Sequence, residues 1–158
     1  MPRIEEEVAR LLTEKGLHVV TAESTTGGYI GHLLNLVPGS SKYFTGGVIA
    51  YTSQAKSEVL GVPMSTIEQE GSVSAQTVLA MAKGARGLLK ADIAIAESGT
   101  AGPTGGSPQK PAGTVFIAID TKDGYQLAER CQWDTDRMGF KERTAEAALG
   151  LVRTYLQR

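Results

Sequence analysis

Short runs of consecutive apolar residues alternate along this chain with segments whose apolar residues recur at helical spacing. The runs occupy residues 19–22, 48–51, 93–96 and 115–119. Uninterrupted apolar runs of this length are typical of strands that are covered on both faces, as in parallel sheets with helices on either side. We therefore expect an α/β protein, a three-layer α/β/α sandwich with a mixed, mostly parallel sheet.

Four segments carry the helical spacing and predict helices that cover this sheet. Their apolar faces are Ile4, Val8, Leu11 and Leu12; Ile30, Leu33, Leu34 and Val37; Val78, Met81, Ala82, Ala85 and Leu88; and Ala145, Ala148, Leu149, Val152 and Leu156. Lys122-Asp123-Gly124 predicts a turn into a last strand over residues 125–133, an antiparallel neighbour of the strand before it. With 158 residues and no repeat, we expect a single domain over residues 1–158.

Charge and composition exclude several classes of protein. Sixteen Lys and Arg against 17 Asp and Glu give a net charge of −1, which argues against a nucleic-acid partner. Cys131 is the only cysteine, and His18 and His32 are the only histidines, so we expect neither a disulfide framework nor a metal site. No apolar run approaches the roughly 18 residues of a membrane span. The expectation is a cytoplasmic protein without a membrane partner.

The chain has 19 glycines, and they concentrate in residues 99–113. This stretch is too rich in Gly and Pro for a helix or a strand, which predicts one long loop. Loops of that length inside a small domain usually have a function. A flexible linker is the alternative, and it is disfavoured because apolar runs adjoin both ends of the stretch.

Two of the predicted strands end in nearly the same residues. The first ends in AESTTGG (residues 22–28) and the third in AESGT (residues 96–100). In open α/β sheets, ligands bind beyond the carboxyl ends of the strands. Each end offers a hydroxyl with backbone N–H groups behind it, which can hold an anion or an oxyanion. A structural alternative is that Ser24 and Thr26 only cap the helix that starts near Gly27.

The familiar phosphate-loop and serine-hydrolase motifs are absent. Residues 99–113 contain neither GxxxxGK[ST] nor GxGxxG, and Ala22 and Thr26 occupy the glycine positions of a GxSxG elbow around Ser24. A Ser-His-Asp triad is not expected either. His18 begins a strand and His32 lies inside a helix, so both are interpreted as surface or packing residues.

A serine nucleophile without a histidine needs another base, and a lysine can serve if burial lowers its pKa. The candidate is Lys56, which follows Tyr51, the last residue of the second apolar run. Tyr51 would face the same edge of the sheet as Ser24. An exposed lysine on a helical turn is the alternative and the more ordinary interpretation.

Several motifs resemble those of one protein family. Residues 22–28 are similar to AESCTGG, a signature of the CinA C-terminal domain family. The family's further blocks match in order at residues 37–51, Lys56, residues 60–62, 71–74, 98–106 and 110–115, and the pair Asp136-Arg137. The resemblance covers nearly the whole chain.

Members of this family hydrolyse the carboxamide of nicotinamide mononucleotide to nicotinate mononucleotide and ammonia. The resemblance implies the same three-layer fold, a homodimer, no cofactor, and a Ser/Lys mechanism with Ser24 as the nucleophile, Lys56 as the base and Tyr51 as an assisting residue. Backbone N–H groups near Thr25 and Thr26 would hold the oxyanion. The expected substrate-binding residues are Thr25, Thr26, Gly27, Gly28, Ser98, Gly99, Thr100, Gly102, Gly105, Gly106, Lys110 and Arg137.

The glycine loop, with Lys110 or Arg137, would bind the phosphate of a mononucleotide substrate. A surface ion pair of Arg137 with Asp134 or Asp136 is the alternative for that residue. Three positions depart from the family's pattern: Thr25 replaces a cysteine, Thr100 replaces an isoleucine, and Glu97 stands where an uncharged residue is commoner. Two other functions therefore stay open, a non-catalytic mononucleotide-binding module and an amidase for another small carboxamide. Ammonia release from a panel of carboxamides would discriminate between them.

Overall fold

The computed structural model describes all 158 residues. Its helices are α1 (Ile4–Lys15), α2 (Tyr29–Leu36), α3 (Ser53–Leu60), α4 (Met64–Glu70), α5 (Ala75–Leu89) and α6 (Arg137–Leu156), and a 3-10 turn lies at Ser40–Lys42. Its strands are β1 (Val19–Glu23), β2 (Phe44–Ile49), β3 (Ile93–Gly99), β4 (Thr114–Thr121) and β5 (Gln126–Gln132). None of the helices combines the length and apolarity that a membrane span requires.

The five strands form one mixed sheet in the order β2-β1-β3-β4-β5. β1 pairs in parallel with β2 and β3, whereas β4 pairs antiparallel with both β3 and β5. All strands except β4 therefore run in the same direction. β4 opposes β3 because the segment that joins them contains no crossover helix, which a parallel connection needs.

Helices cover both faces of the sheet and confirm the three-layer α/β/α class. Residues of α1, α2 and α6 form one buried cluster with the side chains of β1 and β3 that point to that face, including Val19, Ile93 and Ile95. Residues of α3, α4 and α5 form the other cluster with Val20 and Ala94. Successive strand residues thus alternate between two cores, which explains why the runs are apolar without interruption.

The structure differs from the sequence-based elements in three places. The second strand ends at Ile49, so Tyr51 lies in the connection to α3 and not at the end of the strand. α4 was not predicted, because Ile67 is its only buried residue and one apolar side chain gives no periodicity. Leu88, assigned to the apolar face of α5, is 54% exposed.

The glycine-rich stretch forms a loop closed at its base by the ends of β3 and β4. Thr100 N–H donates to the carbonyl of Thr114 at 2.9 Å, and Gly113 N–H donates to the carbonyl of Thr100 at 2.6 Å. A Cβ on Gly99 would lie within 3 Å of Thr114 and Phe140 atoms, so this position requires glycine. The loop is therefore fixed beside the carboxyl ends of β1 and β3.

Candidate active site

Ser24 and Lys56 contact each other at the carboxyl end of the sheet. Ser24 follows the last residue of β1, and Lys56 lies in the first half of α3. The Lys56 Nζ and the Ser24 Oγ are 2.9 Å apart. The same Nζ donates a hydrogen bond to the carbonyl oxygen of Tyr51 at 2.9 Å. A neutral amine can keep this second bond while its lone pair accepts the proton of the serine hydroxyl.

Lys56 is buried, so the interpretation as an exposed lysine on a helical turn is wrong. Only 2% of the residue is exposed, and it forms no ion pair with a carboxylate. Burial lowers the pKa of the Lys56 amine, and the charge of Glu97 acts in the opposite direction. A lowered pKa increases the neutral fraction of the amine, and the neutral amine is the form that can act as a general base.

Two buried carboxyl groups hold the segment that carries Ser24. Glu97 Oε1 accepts hydrogen bonds from the backbone N–H groups of Ser24 at 2.5 Å and of Thr26 at 2.9 Å. The two oxygens of Glu23 accept the N–H groups of Ile30 at 2.8 Å and of Gly31 at 3.0 Å, in the first turn of α2. Most of the N–H groups behind Ser24 are therefore already bonded within the chain.

The alternative in which Ser24 and Thr26 merely cap α2 is also wrong. The N-terminal capping position belongs to Gly28, and no side chain at that position bonds to the helix. The carboxylate of Glu23 performs the capping from β1. The Ser24 hydroxyl is consequently free to contact Lys56.

Thr25 joins the Ser24 segment to β3. Its hydroxyl donates to the carbonyl of Gly99 at 2.7 Å and accepts the N–H of Gly99 at 3.0 Å. The backbone N–H of Thr25 forms no hydrogen bond within the chain. It is the one N–H of residues 24–26 that remains available to a ligand.

A cavity of about 310 Å³ opens over the Ser24–Lys56 pair. This volume lies at the small end of the range of ligand pockets. Of the predicted site residues, the structure brings to its wall Ser24, Thr25, Tyr51, Lys56, Ser98, Gly99, Thr100, Gly102 and Arg137. The cavity therefore gathers the two similar strand ends, the first part of the glycine loop and the start of α6.

Six predicted binding residues do not line this cavity. They are Thr26, Gly27, Gly28, Gly105, Gly106 and Lys110. Thr26 is buried beneath the Ser24 segment. The Nζ of Lys110 donates to the carbonyl of Glu70 at 2.9 Å and lies 5.7 Å from the centre of the Phe116 ring. Lys110 thus fastens the glycine loop to the end of α4.

Sequence reasoning missed four residues of the cavity wall, namely Ser72, Val73, Ala101 and Thr104. Ser72 and Val73 lie between α4 and α5, and the Ser98 hydroxyl donates to the carbonyl of Ser72 at 2.8 Å. The motif at residues 71–74 was the signal that could have located them. The backbone N–H groups of Ala101 and Thr104 form no hydrogen bonds within the chain.

Arg137 brings a guanidinium to the cavity wall and forms no ion pair. Its Nη1 donates to the carbonyl of Gly102 at 3.1 Å, and its Nη2 donates to the hydroxyl of Tyr51 at 3.3 Å. Asp136 instead caps α6 by accepting the N–H of Gly139 at 2.7 Å. The proposed surface ion pair of Arg137 is therefore wrong.

The arrangement supplies a hydroxyl nucleophile, an amine of lowered pKa beside it, and a guanidinium at the cavity wall. No three His, Cys, Asp or Glu side chains gather closely enough to hold a metal ion. Covalent acyl transfer by serine needs the first two groups, and recognition of an anion uses the third.

Comparison with known proteins identifies relatives of this sequence and fold. The family model of the CinA C-terminal domain matches residues 2–156. The chain is similar to the crystal structure of the competence/damage inducible protein CihA from Agrobacterium tumefaciens, with a TM-score of 0.91 and 38% identity over 100% of this chain and 98% of that one. It is also similar to the competence damage-inducible protein A from Klebsiella pneumoniae, with a TM-score of 0.94 and 34% identity over 98% of this chain and 96% of that one.

A putative competence-damage inducible protein from Caldicellulosiruptor bescii is 47% identical over 150 residues, which are 95% of this chain and 36% of that protein. The chain spans 36% to 38% of the length of such curated relatives. The family match and these identities, taken with the shared fold, lead to one conclusion. The chain belongs to the CinA C-terminal domain family.

Proposed function

We propose that the chain is an amidohydrolase that converts nicotinamide mononucleotide to nicotinate mononucleotide and ammonia through an acyl-enzyme on Ser24. The observation that carries the proposal is the 2.9 Å contact between the Ser24 hydroxyl and the buried Lys56 amine. A buried lysine without a carboxylate partner is unfavourable for a fold unless it is neutral. A neutral amine at a serine hydroxyl is the arrangement that Ser/Lys acyl transfer requires.

In the first step, Lys56 accepts the proton of Ser24 while Oγ attacks the carboxamide carbon. The carbonyl of Tyr51 accepts a hydrogen bond from the Lys56 amine, which orients the nitrogen lone pair toward Oγ. The hydroxyl of Tyr51 bonds to Arg137. Tyr51 therefore assists the base through its main chain, and its ring contributes to the cavity wall.

Attack on the carboxamide places negative charge on the carbonyl oxygen, and donors must lie ready to bind it. The N–H groups of Ser24 and Thr26 cannot serve, because they donate to Glu97. The unpaired N–H of Thr25 is the donor that we assign to the oxyanion. This narrows the expectation for the oxyanion site from two residues to one.

The tetrahedral intermediate then collapses as the Lys56 ammonium donates its proton to the carboxamide nitrogen, and ammonia leaves. Lys56, neutral again, takes a proton from water, which attacks the ester carbon. Return of that proton to Ser24 Oγ releases the carboxylate product. Each half-reaction uses the same amine once as a base and once as an acid.

We assign the phosphate of the mononucleotide to the part of the wall around Arg137. A guanidinium binds phosphate oxygens through two parallel N–H groups. The N–H groups of Ala101, Gly102 and Thr104 form no bonds within the chain and lie along the same wall. Together they offer charge and hydrogen-bond donors to one anionic group.

A second candidate is an amidase for a different small carboxamide. It is favoured by the position of two departures from the family's pattern, since Thr25 and Thr100 both line the cavity. Substitutions on the wall change which substrate fits without changing the Ser24–Lys56 pair. A non-catalytic mononucleotide-binding module is disfavoured, because it would gain nothing from a buried lysine.

The test is ammonia release by the purified chain from nicotinamide mononucleotide, nicotinamide riboside, nicotinamide and unrelated carboxamides. For the wild-type chain we expect the highest kcat/KM with the mononucleotide. The Ser24→Ala variant should release no detectable ammonia from any of these compounds. Turnover of another carboxamide with a higher kcat/KM would support the second candidate. Mononucleotide binding without ammonia release from any compound would overturn both amidase candidates.

A further inference from the structure

Adjacent strands place two buried glutamates side by side under the Ser24 segment. In the β1–β3 register Ala22 lies opposite Ala96, and Glu23 and Glu97 follow these residues in the two strands. Glu23 is 1% exposed and Glu97 is fully buried. Neither forms an ion pair with a cation. Two carboxylates so close together cannot both ionise without a large free-energy penalty.

The Thr26 hydroxyl lies between the two carboxyl groups. Its Oγ1 is 2.7 Å from Glu23 Oε1 and 2.8 Å from Glu97 Oε1. A hydroxyl has one proton and can donate it to only one of these oxygens. The other contact is a hydrogen bond only if that carboxyl group supplies a proton of its own.

We propose that Glu23 and Glu97 keep one proton between them through the Thr26 hydroxyl, and that Glu97 in this pair is a positioning residue for the Ser24 nucleophile. Glu97 does not reach the cavity, so it acts through the N–H groups of Ser24 and Thr26 that its Oε1 binds. The effect on turnover rests on the proposed function. The shared proton does not.

The surroundings of Glu97 agree with a pair that holds one proton. Its Oε2 is buried and has no hydrogen-bond partner, a position that suits an uncharged group better than half of a carboxylate. Burial raises the pKa of Glu97, hydrogen bonds from Thr26 and Ser24 oppose the rise, and the charge of Glu23 adds to it. Among the basic residues of the neighbouring helices, Lys56 on α3 interacts electrostatically with Glu97, and the Nζ of Lys141 on α6 lies 3.7 Å from where a Cβ on Gly27 would be.

The proton also matters for the base. An ionised Glu97 raises the pKa of Lys56. With the proton in place, the pair carries one negative charge instead of two, and Lys56 is more easily neutral. The same proton therefore serves both the position of the nucleophile and the state of the base.

The shared proton is tested without substrate, by infrared spectroscopy of the carboxylic C=O stretch in the wild-type chain, Glu97→Gln and Glu23→Gln at neutral pH. We expect a band of a neutral buried carboxyl group in the wild type and its loss in both variants. Loss in Glu23→Gln is the critical result, because a single remaining carboxylate can accept the Thr26 proton. A wild type without the band overturns the proposal. So does a Glu23→Gln variant that keeps the band, since Glu97 would then be protonated by its burial alone.

The positioning role is tested by kcat and KM of Glu97→Leu and Glu97→Gln. Leucine leaves the N–H groups of Ser24 and Thr26 without an acceptor, and we expect kcat to fall on the order of a hundredfold as the nucleophile shifts. Glutamine keeps an acceptor oxygen and should recover most of that loss. An unchanged kcat in Glu97→Leu, or equal losses in the two variants, overturns the positioning role.

The pH dependence of kcat/KM tests how much negative charge the Glu23–Glu97 pair carries. Glu97→Gln carries the same single charge as the half-protonated pair, so its acidic limb should coincide with that of the wild type. Displacement of this limb to lower pH would mean that both carboxylates are charged in the wild type and would overturn the shared proton. If the wild type releases no ammonia at all, the proposed function fails, whereas the infrared comparison still decides the proton.

Discussion

The Nζ of Lys56 lies 2.9 Å from the Oγ of Ser24, although the two residues are 32 positions apart and belong to different layers of the fold. β1 ends immediately before the serine, and α3 brings the lysine back over that end. The contact is buried and has no competing carboxylate partner.

Replacement of Ser24 by alanine should lower kcat by at least about a thousandfold, because no other hydroxyl lies at the Lys56 amine. Binding of the mononucleotide should remain close to that of the wild type, as measured by titration calorimetry. Ser98→Ala is the matched control. Its hydroxyl bonds to the Ser72 carbonyl at the cavity wall, so KM should change more than kcat. Loss of activity in Ser98→Ala with activity retained in Ser24→Ala would reverse the assignment of the nucleophile.

Lys56→Arg should be as inactive as Lys56→Ala, because a guanidinium keeps the charge and cannot accept a proton at working pH. Turnover at saturating substrate distinguishes proton transfer by Lys56 from a purely electrostatic role. If the role were purely electrostatic, the arginine variant would retain much of the rate. An active Lys56→Arg enzyme would remove the lysine from proton transfer.

The lowered pKa of Lys56 has a consequence for stability. The folded chain binds fewer protons at this amine than the unfolded chain does, between the lowered pKa and the ordinary value of about 10.4. The free energy of unfolding should therefore rise with pH over this window in the wild type. Lys56→Met, which has a similar length and no charge, should lack that rise. Urea denaturation at a series of pH values gives the free energy of unfolding as a function of pH for both proteins. Equal slopes in the wild type and Lys56→Met would show that the amine is charged in the folded chain.

Arg137→Ala should raise KM for the mononucleotide by roughly ten- to a hundredfold, the usual size of a lost charge-assisted hydrogen bond. KM for nicotinamide riboside, which has no phosphate, should change little. Comparison of the two substrates in both enzymes isolates the interaction with the phosphate. Equal increases for the two compounds would place Arg137 in the wall and not at the phosphate.

Much of the fold could be predicted because burial on both faces of a strand is visible in adjacent residues. The runs within β1, β3 and β4 needed no long-range information. An apolar run is the same in either direction, so the runs alone do not give the direction of β4. The absence of a helix between Gly99 and Thr114 decides it.

The site could be predicted in its residue types and not in its hydrogen bonds. Ser24 and Lys56 were candidates from the chemistry they could perform, and the resemblance to the CinA C-terminal domain family implied their roles. The bond from Thr26 to Glu97 joins residues 71 positions apart, and nothing local indicates that a carboxyl group would occupy those N–H groups. Lys110 shows the reverse error, because a cation next to a glycine loop suggests a phosphate, whereas its contact is the carbonyl of Glu70.

The chemistry and the shape of this site belong to separate parts of the chain. β1 and α3 carry Ser24 and Lys56, whereas the wall from Thr100 to Thr104 belongs to a loop that is closed by its own hydrogen bonds at Thr100, Gly113 and Thr114. Mutations within this loop can reshape the cavity wall while the serine and the lysine keep their positions relative to each other. Descendants of such a chain could therefore acquire a new ligand in small steps, each of which leaves the Ser24–Lys56 contact in place.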